Sequence, residues 1–299
     1  MRNIPRHLYP FDSNFVEVGG HRMHYLDEGN EGVGEPVVAV HGNPTWSFYY
    51  RELVRGLRDE RRVIVPDHVG CGLSDKPGDD DYPYTLERRV DDFSAFMERL
   101  GPDRVDLVVH DWGGAIGCAW AGRHPERVRR LVILNTAAFH LPPSKPLPWQ
   151  LWLVRNTPLG ALLVRGLNGF ARGATHLACT RQPMPKEVRD AYCAPYDSWA
   201  DRRAVLRFVE DIPLSPGDPG YELVSEIAGN LPKLAGKPIL ICWGDRDFVF
   251  DHHFLAEWQR LFPSAEVHRF ADGGHYILED YADEIVPLIR DFVTQNDVD

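Results

Sequence analysis

The fold is decided by the stretch Val105-Asp106-Leu107-Val108-Val109-His110-Asp111-Trp112-Gly113-Gly114. Its first half, residues 105–109, is a mostly apolar run that is typical of a strand buried on both faces. Residues 115–123, which follow the stretch, have helical spacing. The small residues between strand and helix allow a tight turn, and such a turn lifts one side chain, here Asp111, above the sheet.

Strands and helices alternate on both sides of this turn, which predicts right-handed β-α-β units and an α/β fold with a mostly parallel, doubly wound sheet. A hairpin of residues 14–18 and 22–26 around Gly19-Gly20 is predicted before that sheet. The other predicted strands are residues 36–40, 62–65, 105–109, 128–134, 238–243 and 266–270, and the predicted helices are residues 46–57, 86–100, 115–123, 254–261 and 283–293.

The alternation stops between about residues 140 and 213. Prolines divide this segment into short helical pieces, which carry many large apolar side chains. We interpret residues 140–213, called the cap below, as a helical insertion after the strand that ends near Asn135. The core then consists of residues 1–139 and 214–299. The alternative interpretation is a second, independent domain.

The composition fits one large globular domain, or a domain that carries an insertion. The chain has 299 residues, of which 43% are hydrophobic, and this is too apolar for a disordered protein. Its 33 Lys and Arg residues against 44 Asp and Glu residues give a formal net charge of −11. Because binding to a phosphate backbone requires clustered cations, we do not expect nucleic acid as a partner.

The cysteines and the beginning of the sequence predict a cytoplasmic protein. The five cysteines form no C-x-x-C pair, and buried free thiols in a reducing compartment are the simplest interpretation. The sequence from Met1 to His7 lacks the apolar core of a signal peptide. No apolar run approaches the ~20 residues of a membrane-spanning helix, so we expect no membrane span.

Side chains that can take part in catalysis or ligand binding follow four of the predicted strands. These loops are His41-Gly42-Asn43-Pro44, His110-Asp111-Trp112-Gly113-Gly114, Gly244-Asp245-Arg246-Asp247 and Asp272-Gly273-Gly274-His275. In an open α/β sheet, ligands bind beyond the carboxyl ends of the strands. The sequence therefore predicts a site at this edge that contains an amide, carboxylates, an indole and an imidazole.

The turn at Asp111 resembles a nucleophile elbow, whose usual sequence is G-x-S-x-G. Here an aspartate occupies the position of the serine, Val109 replaces the first glycine, and the sequence contains no G-x-S-x-G. The alternative is that Asp111 only caps the following helix, since aspartate is a good N-cap residue.

With these motifs in place, the chain resembles the α/β-hydrolases, and within them the haloalkane dehalogenases and their near relatives. The narrower resemblance is carried by His41-Gly42-Asn43-Pro44-Thr45, by residues 67–77 and by His110-Asp111-Trp112-Gly113-Gly114. The resemblance implies that Asp111 is the nucleophile, His275 the base and Asp247 the acid that orients the base. It also implies that Asn43 and Trp112 bind the departing halide. Asp245 is the alternative acid, whereas Asn135-Thr136-Ala137 offers no carboxylate.

The chemistry of these side chains fits the implied roles. A carboxylate that attacks a saturated carbon gives an alkyl ester and divides one difficult displacement into two easier steps. Asp111 is already ionised near neutral pH, and His275 has an ordinary pKa that suits a base for ester hydrolysis. The side chains of Asn43 and Trp112 donate hydrogen bonds to an anion. No H-E-x-x-H or complete dinucleotide-binding motif occurs, so we expect neither a metal nor a cofactor.

Three reactions are compatible with this set of residues, and the substrate in each is a small hydrophobic molecule. Dehalogenation of haloalkanes is favoured, because Asn43 matches a halide-binding residue. The second alternative is the β-lactone decarboxylase of bacterial olefin biosynthesis, which converts a lactone to an alkene and carbon dioxide. The third is epoxide hydrolysis, for which Tyr192 and Tyr196 of the cap are candidate proton donors. The non-enzymatic alternative is a receptor with a hydrolase fold. The oligomeric state stays open.

Overall fold

An eight-stranded sheet organises the residues that the computed structural model describes, which are residues 4–29 and 34–295. The strands follow the order β1-β2-β4-β3-β5-β6-β7-β8 across the sheet. The pairs β1–β2 and β2–β4 are antiparallel, and all other neighbours are parallel. The strands are β1 (Asn14–Val18), β2 (His21–Glu28), β3 (Val37–Val40), β4 (Val63–Pro66), β5 (Val105–Asp111), β6 (Val128–Thr136), β7 (Ile239–Gly244) and β8 (Glu266–Phe270). The predicted fold, a hairpin followed by a parallel sheet, is confirmed.

Helices cover both faces of this sheet. Successive residues of a strand point to opposite faces, and Val108 and Val109 accordingly belong to different apolar clusters. Burial on both faces explains why the strand sequences are continuous apolar runs. The helices are α1 (Arg51–Leu57), α2 (Leu86–Leu100), α3 (Trp112–Arg123), α4 (Trp149–Asn156), α5 (Pro158–Leu167), α6 (Gly169–Leu177), α7 (Lys186–Cys193), α8 (Arg203–Glu210), α9 (Tyr221–Asn230), α10 (His252–Leu261), α11 (Ile277–Asp280) and α12 (Ala282–Thr294).

Helices α4 to α8 lie between β6 and α9 in the chain and form the cap. Helix α4 packs against α5 and α8, and α6 packs against α5 and α7. Together they bring apolar side chains over the carboxyl ends of the parallel strands, where they line a cavity with residues of the core. The division of core and cap at residues 140 and 213 is our interpretation of this arrangement.

A buried cluster of three side chains joins the cap to the core. Arg51 of α1 forms a bidentate ion pair with Glu279 of α11, with Nη2 and Oε2 2.7 Å apart. Tyr192 of α7 donates its hydroxyl hydrogen to Glu279 Oε1 at 2.5 Å. Burial alone would lower the pKa of Arg51, but the Glu279 carboxylate outweighs it and holds that pKa above its usual value. We call these three residues the clamp.

The thiols only partly match the expectation of burial. Cys71, Cys118 and Cys242 are buried and form no disulfide, whereas Cys179 and Cys193 are half-buried. Burial raises the pKa of Cys71 to about 11, so this thiol is not a nucleophile near neutral pH. Among the helices of the described residues, none has both the length and the apolar character that crossing a bilayer requires.

Candidate active site

Asp111 lies at the end of β5, and α3 begins at the next residue. Its φ of 51° and ψ of −129° are unusual for a residue with a side chain, and such strain persists only where the surrounding structure enforces it. A Cβ atom at Gly113 would collide with the carbonyl oxygen of Val40, and one at Gly114 would collide with Thr136 Oγ1. The two glycines therefore let α3 approach the sheet closely enough to form the turn.

Backbone N–H groups hold the Asp111 carboxylate in place. Oδ1 accepts a hydrogen bond from the Asn43 N–H at 2.5 Å, and the Trp112 N–H also donates to the carboxylate. Oδ2 lies 3.6 Å from Nε2 of His275. Burial, which leaves the residue 7% exposed, raises the pKa of Asp111, and the imidazole and the N–H donors oppose this rise only in part. Among the described residues, neither the second nor the third residue of α3 donates its N–H to this side chain, as N-capping would require.

His275 is held between two carboxylates. Its Nδ1 lies 2.8 Å from Asp247 Oδ2, so it donates to that carboxylate. Asp247 in turn accepts hydrogen bonds from the N–H groups of Val249 at 2.7 Å and Phe250 at 3.0 Å. Burial lowers the pKa of His275, but the carboxylates of Asp247 and Asp111 outweigh it, so the net shift is upward. The arrangement is a carboxylate, an imidazole and a second carboxylate in contact, which suits nucleophilic catalysis.

The structure separates the two aspartates that follow β7. Asp247 contacts His275, whereas Asp245 forms a bidentate ion pair with Arg269, with both distances 3.0 Å. Sequence reasoning missed Asn135, which has a φ of 29° and donates through Nδ2 to Asp247 at 3.1 Å. The signal for it in the sequence is a polar residue at the carboxyl end of a strand, here β6.

We expect Asp247→Asn to lower the pKa of His275. The substitution removes the negative charge that favours the imidazolium, while the buried position that disfavours it is unchanged. Histidine ring NMR signals followed against pH measure this shift. Asp245→Asn is the matched control, because its carboxylate contacts Arg269 instead. A His275 pKa that moves equally in both variants would contradict the orienting role of Asp247.

The two predicted halide donors differ in their surroundings. Asn43 Nδ2 donates to the carbonyl oxygen of Val205 in the cap at 3.0 Å, while its buried Oδ1 has no hydrogen-bond partner among the described residues. One of the two amide hydrogens is thus already used within the protein. Trp112 is half-buried at the cavity, and its ring lies 5.4 Å from that of Phe208.

Above these side chains lies a cavity of about 470 Å³. Core and cap both line it, and its walls are mainly leucine, valine, phenylalanine and alanine side chains. The polar residues that reach it are Asn43, Asp111, Trp112, His140, Gln150 and His275. Asp111 and His275 thus lie together at an apolar chamber, and sequence reasoning missed His140 and Gln150.

The two cap tyrosines lie outside the cavity lining. Tyr192 donates to Glu279, and the hydroxyl of Tyr196 lies 3.4 Å from the carbonyl oxygen of Thr45. Both side chains are buried, and within the described residues no tyrosine lines the cavity. The structure thus does not bring these hydroxyl groups to Asp111, as epoxide opening would require.

Comparisons with known proteins agree with this geometry. Residues 35–282 match the family model described as the alpha/beta hydrolase fold. The chain is 57% identical to a cis-3-alkyl-4-alkyloxetan-2-one decarboxylase of Shewanella oneidensis, over 97% of this chain and 91% of the relative. A decarboxylase of the same name from Xanthomonas campestris is 50% identical over 96% and 98% of the two chains.

Among solved structures, the haloalkane dehalogenase DatA of Agrobacterium tumefaciens matches with a TM-score of 0.84 and 26% identity. The match covers 95% of this chain and 96% of that protein. The sheet order, the turn at Asp111 and the extent of these matches lead to one conclusion. The chain belongs to the α/β-hydrolase family, in the group that contains haloalkane dehalogenases and cis-3-alkyl-4-alkyloxetan-2-one decarboxylases.

Proposed function

We propose that the protein decarboxylates disubstituted β-lactones to alkenes and that Asp111 is the nucleophile. The observation that carries this proposal is the Asp111 carboxylate, which lies at an apolar cavity and 3.6 Å from His275. The names of the two relatives of high identity favour a lactone over the haloalkane that the residues alone favoured. The hydrogen bond from the Asn43 side-chain amide to the Val205 carbonyl oxygen supports the same choice, because it leaves one fewer amide hydrogen for a halide ion.

The first step is a displacement at the ring carbon that bears the ring oxygen. An oxygen of Asp111 forms a bond to this carbon, C4, while the bond between C4 and the ring oxygen breaks. The ring oxygen leaves as part of a carboxylate that stays attached to C3, and Asp111 becomes an alkyl ester. The Trp112 indole N–H and a protonated His275 stabilise the new carboxylate, as donors stabilise other developing anions.

The second step releases both products. The bond between C3 and the carboxylate carbon breaks, its electron pair forms the double bond to C4, and the bond between C4 and Asp111 breaks. Carbon dioxide and the alkene leave, and Asp111 is again a carboxylate. Inversion at C4 places the ester opposite the carboxylate, so anti elimination converts a cis lactone to a cis alkene. The cycle consumes no water and no proton.

The cavity favours this outcome over hydrolysis. A carboxylate in an apolar environment is poorly solvated, and its loss as neutral carbon dioxide disperses the charge. The apolar walls also offer water few hydrogen-bond partners near the ester. His275, whose pKa is raised, supplies positive charge here instead of activating water.

Dehalogenation is the second candidate, favoured by the Trp112 indole at the cavity, and there a neutral His275 is the base.

Oxygen isotope labelling separates the two reactions. In water enriched in ¹⁸O, we expect lactone turnover to give alkene while Asp111 keeps its oxygen atoms, because no water attacks the ester. Gas chromatography detects the alkene, and mass spectrometry of the peptide that contains Asp111 detects the label. If a haloalkane is turned over instead, ester hydrolysis places an ¹⁸O atom in Asp111. Bromide release with labelled Asp111, and no alkene from lactone, would refute the proposal.

A further inference from the structure

Most of the exposed large apolar side chains of the described residues lie in the cap. We define the apolar face as Trp149, Trp152, Leu159, Leu162, Leu167 and Leu177, each of which is more than half exposed. Trp149 and Trp152 lie one helical turn apart on α4, as do Leu159 and Leu162 on α5, so each pair is presented on one side of its helix. Exposed apolar groups of this extent mark a surface that binds something.

The apolar face reaches the cavity through two of its residues. Trp149 is 71% exposed and Leu177 is 56% exposed, yet both line the cavity above Asp111. Phe248 of the core also lines the cavity while being 39% exposed. Apolar side chains therefore extend from the chamber to the surface, which gives an apolar substrate an apolar path into it.

The segment that carries the apolar face, residues 140–186, has a net charge opposite in sign to that of the whole chain. Residues 140–186 contain six Lys and Arg residues and no Asp or Glu, although the chain has a net charge of −11. Four of the six form ion pairs with acidic residues outside the segment, so the positive charge left to the surface is that of Arg165 and Arg172; the four are Lys145, Arg155, Arg181 and Lys186. Among the exposed residues between 143 and 177, the ionisable ones are Arg172 and His176. The guanidinium of Arg165 lies 4.7 Å above the ring of Trp199, which is itself 48% exposed. Tryptophan and basic residues together are typical of surfaces that lie at the headgroup level of anionic bilayers.

We propose that the apolar face docks on an anionic lipid bilayer and admits apolar substrate from the bilayer into the cavity. The choice of substrate rests on the function proposed above, whereas the docking itself does not. The apolar side chains enter the acyl boundary, and Arg165 and Arg172 contact the headgroups. The acidic remainder of the chain is repelled by the anionic surface, which sets the orientation.

Vesicle binding tests this proposal without turnover. We expect the protein to co-sediment with vesicles of phosphatidylcholine and phosphatidylglycerol, and less with phosphatidylcholine alone. The double variant Trp152→Ser, Leu162→Ser and the variant Arg172→Glu should each lower the partition coefficient about ten-fold or more. Neither Trp152 nor Leu162 lines the cavity. Phe15→Ser, which removes an exposed aromatic ring from β1, and Arg99→Glu at the end of α2 are the matched controls and should bind as the wild type does.

Turnover adds a second measurement. The double variant should convert a short, water-soluble lactone at the wild-type rate and a long-chain lactone in vesicles more slowly. Wild-type protein that does not bind anionic vesicles, or a double variant that binds them as well as wild type, would overturn the proposal. Sedimentation that shows a self-associating wild type, a monomeric double variant and no vesicle binding would assign the face to a second copy. Asp111→Ala should bind vesicles normally, so a failure of the proposed reaction is distinguishable from a failure of docking.

Discussion

Replacing Asp111 with alanine is expected to lower turnover at least about 10⁴-fold, which is the scale seen when a covalent nucleophile is removed. In the proposed mechanism an Asp111 oxygen forms the bond to substrate, and no other carboxylate lines the cavity among the described residues. The first bond-forming step then has no nucleophile. Single-turnover measurements with excess enzyme, following alkene or halide, give the rate.

The fold should survive this substitution, because alanine adopts the conformation at residue 111 at no greater steric cost than aspartate. Asp245→Ala is the matched control, since it removes a carboxylate at the same edge of the sheet that contacts Arg269 instead of His275. Asp245→Ala should keep near wild-type turnover. An Asp111→Ala protein that is as active as wild type would exclude covalent catalysis by this residue.

Replacing Gly113 with alanine is expected to destabilise the protein by about 3 kcal/mol or more. The new Cβ would overlap the carbonyl oxygen of Val40, which is fixed in the centre of the sheet by the pairing of β3 with β4 and β5. Because a backbone atom in a buried strand cannot move aside, α3 must shift away from the sheet. The shift would also displace Asp111, so activity should fall together with stability. Urea unfolding at equilibrium measures the change in free energy.

Gly229→Ala in α9 is the control for Gly113. Both glycines lie in helices, but no atom lies within 4 Å of a Cβ at residue 229 among the described residues. Alanine is the better helix former, so this substitution should stabilise the protein by roughly 0.5–1 kcal/mol. If Gly113→Ala also stabilised the protein, the close approach of α3 to β3 could not be the reason for the glycine.

The strands were predictable because burial on both faces leaves a continuous apolar signal, which residues 105–109 and 128–134 carry clearly. The first residues of the helices were harder to predict from the sequence. The predicted start of α3 at residue 115 is wrong by three residues, since Trp112-Gly113-Gly114 is helical despite the low helix propensity of glycine. Likewise the predicted helix at residues 46–57 begins as a 3₁₀ turn, Ser47–Tyr50, before α1.

The grouping of Asp111, Asp247 and His275 was predictable because parallel strands deliver their following loops to one edge of the sheet. Which of Asp245 and Asp247 contacts His275 was not predictable from the sequence. Residues two apart point to the same side of an extended strand, so periodicity does not distinguish them. The strand ends at Gly244, and the turn beyond it sends Asp245 to Arg269 and Asp247 to His275.

Contacts between segments that are distant in the sequence explain the other features of the site that were not predicted. The partner of the Asn43 amide, Val205, is 162 residues away in the cap, and no local pattern indicates it. Tyr192 was a candidate proton donor because of its place in the sequence, but the position of α7 directs its hydroxyl to Glu279. In both cases the packing of the cap on the core decides what a side chain contacts, and single-sequence patterns carry little information on such packing.

The clamp constrains how this enzyme scaffold can be redesigned. A chimaera that grafts the cap of a relative onto this core must supply a hydroxyl group where Tyr192 now lies. A grafted phenylalanine would leave Glu279 Oε1 with one fewer donor in a buried setting, at a cost of about 1–3 kcal/mol. Swaps limited to α4, α5 and α6 would leave the clamp untouched, so these three helices form the natural module for altering substrate range.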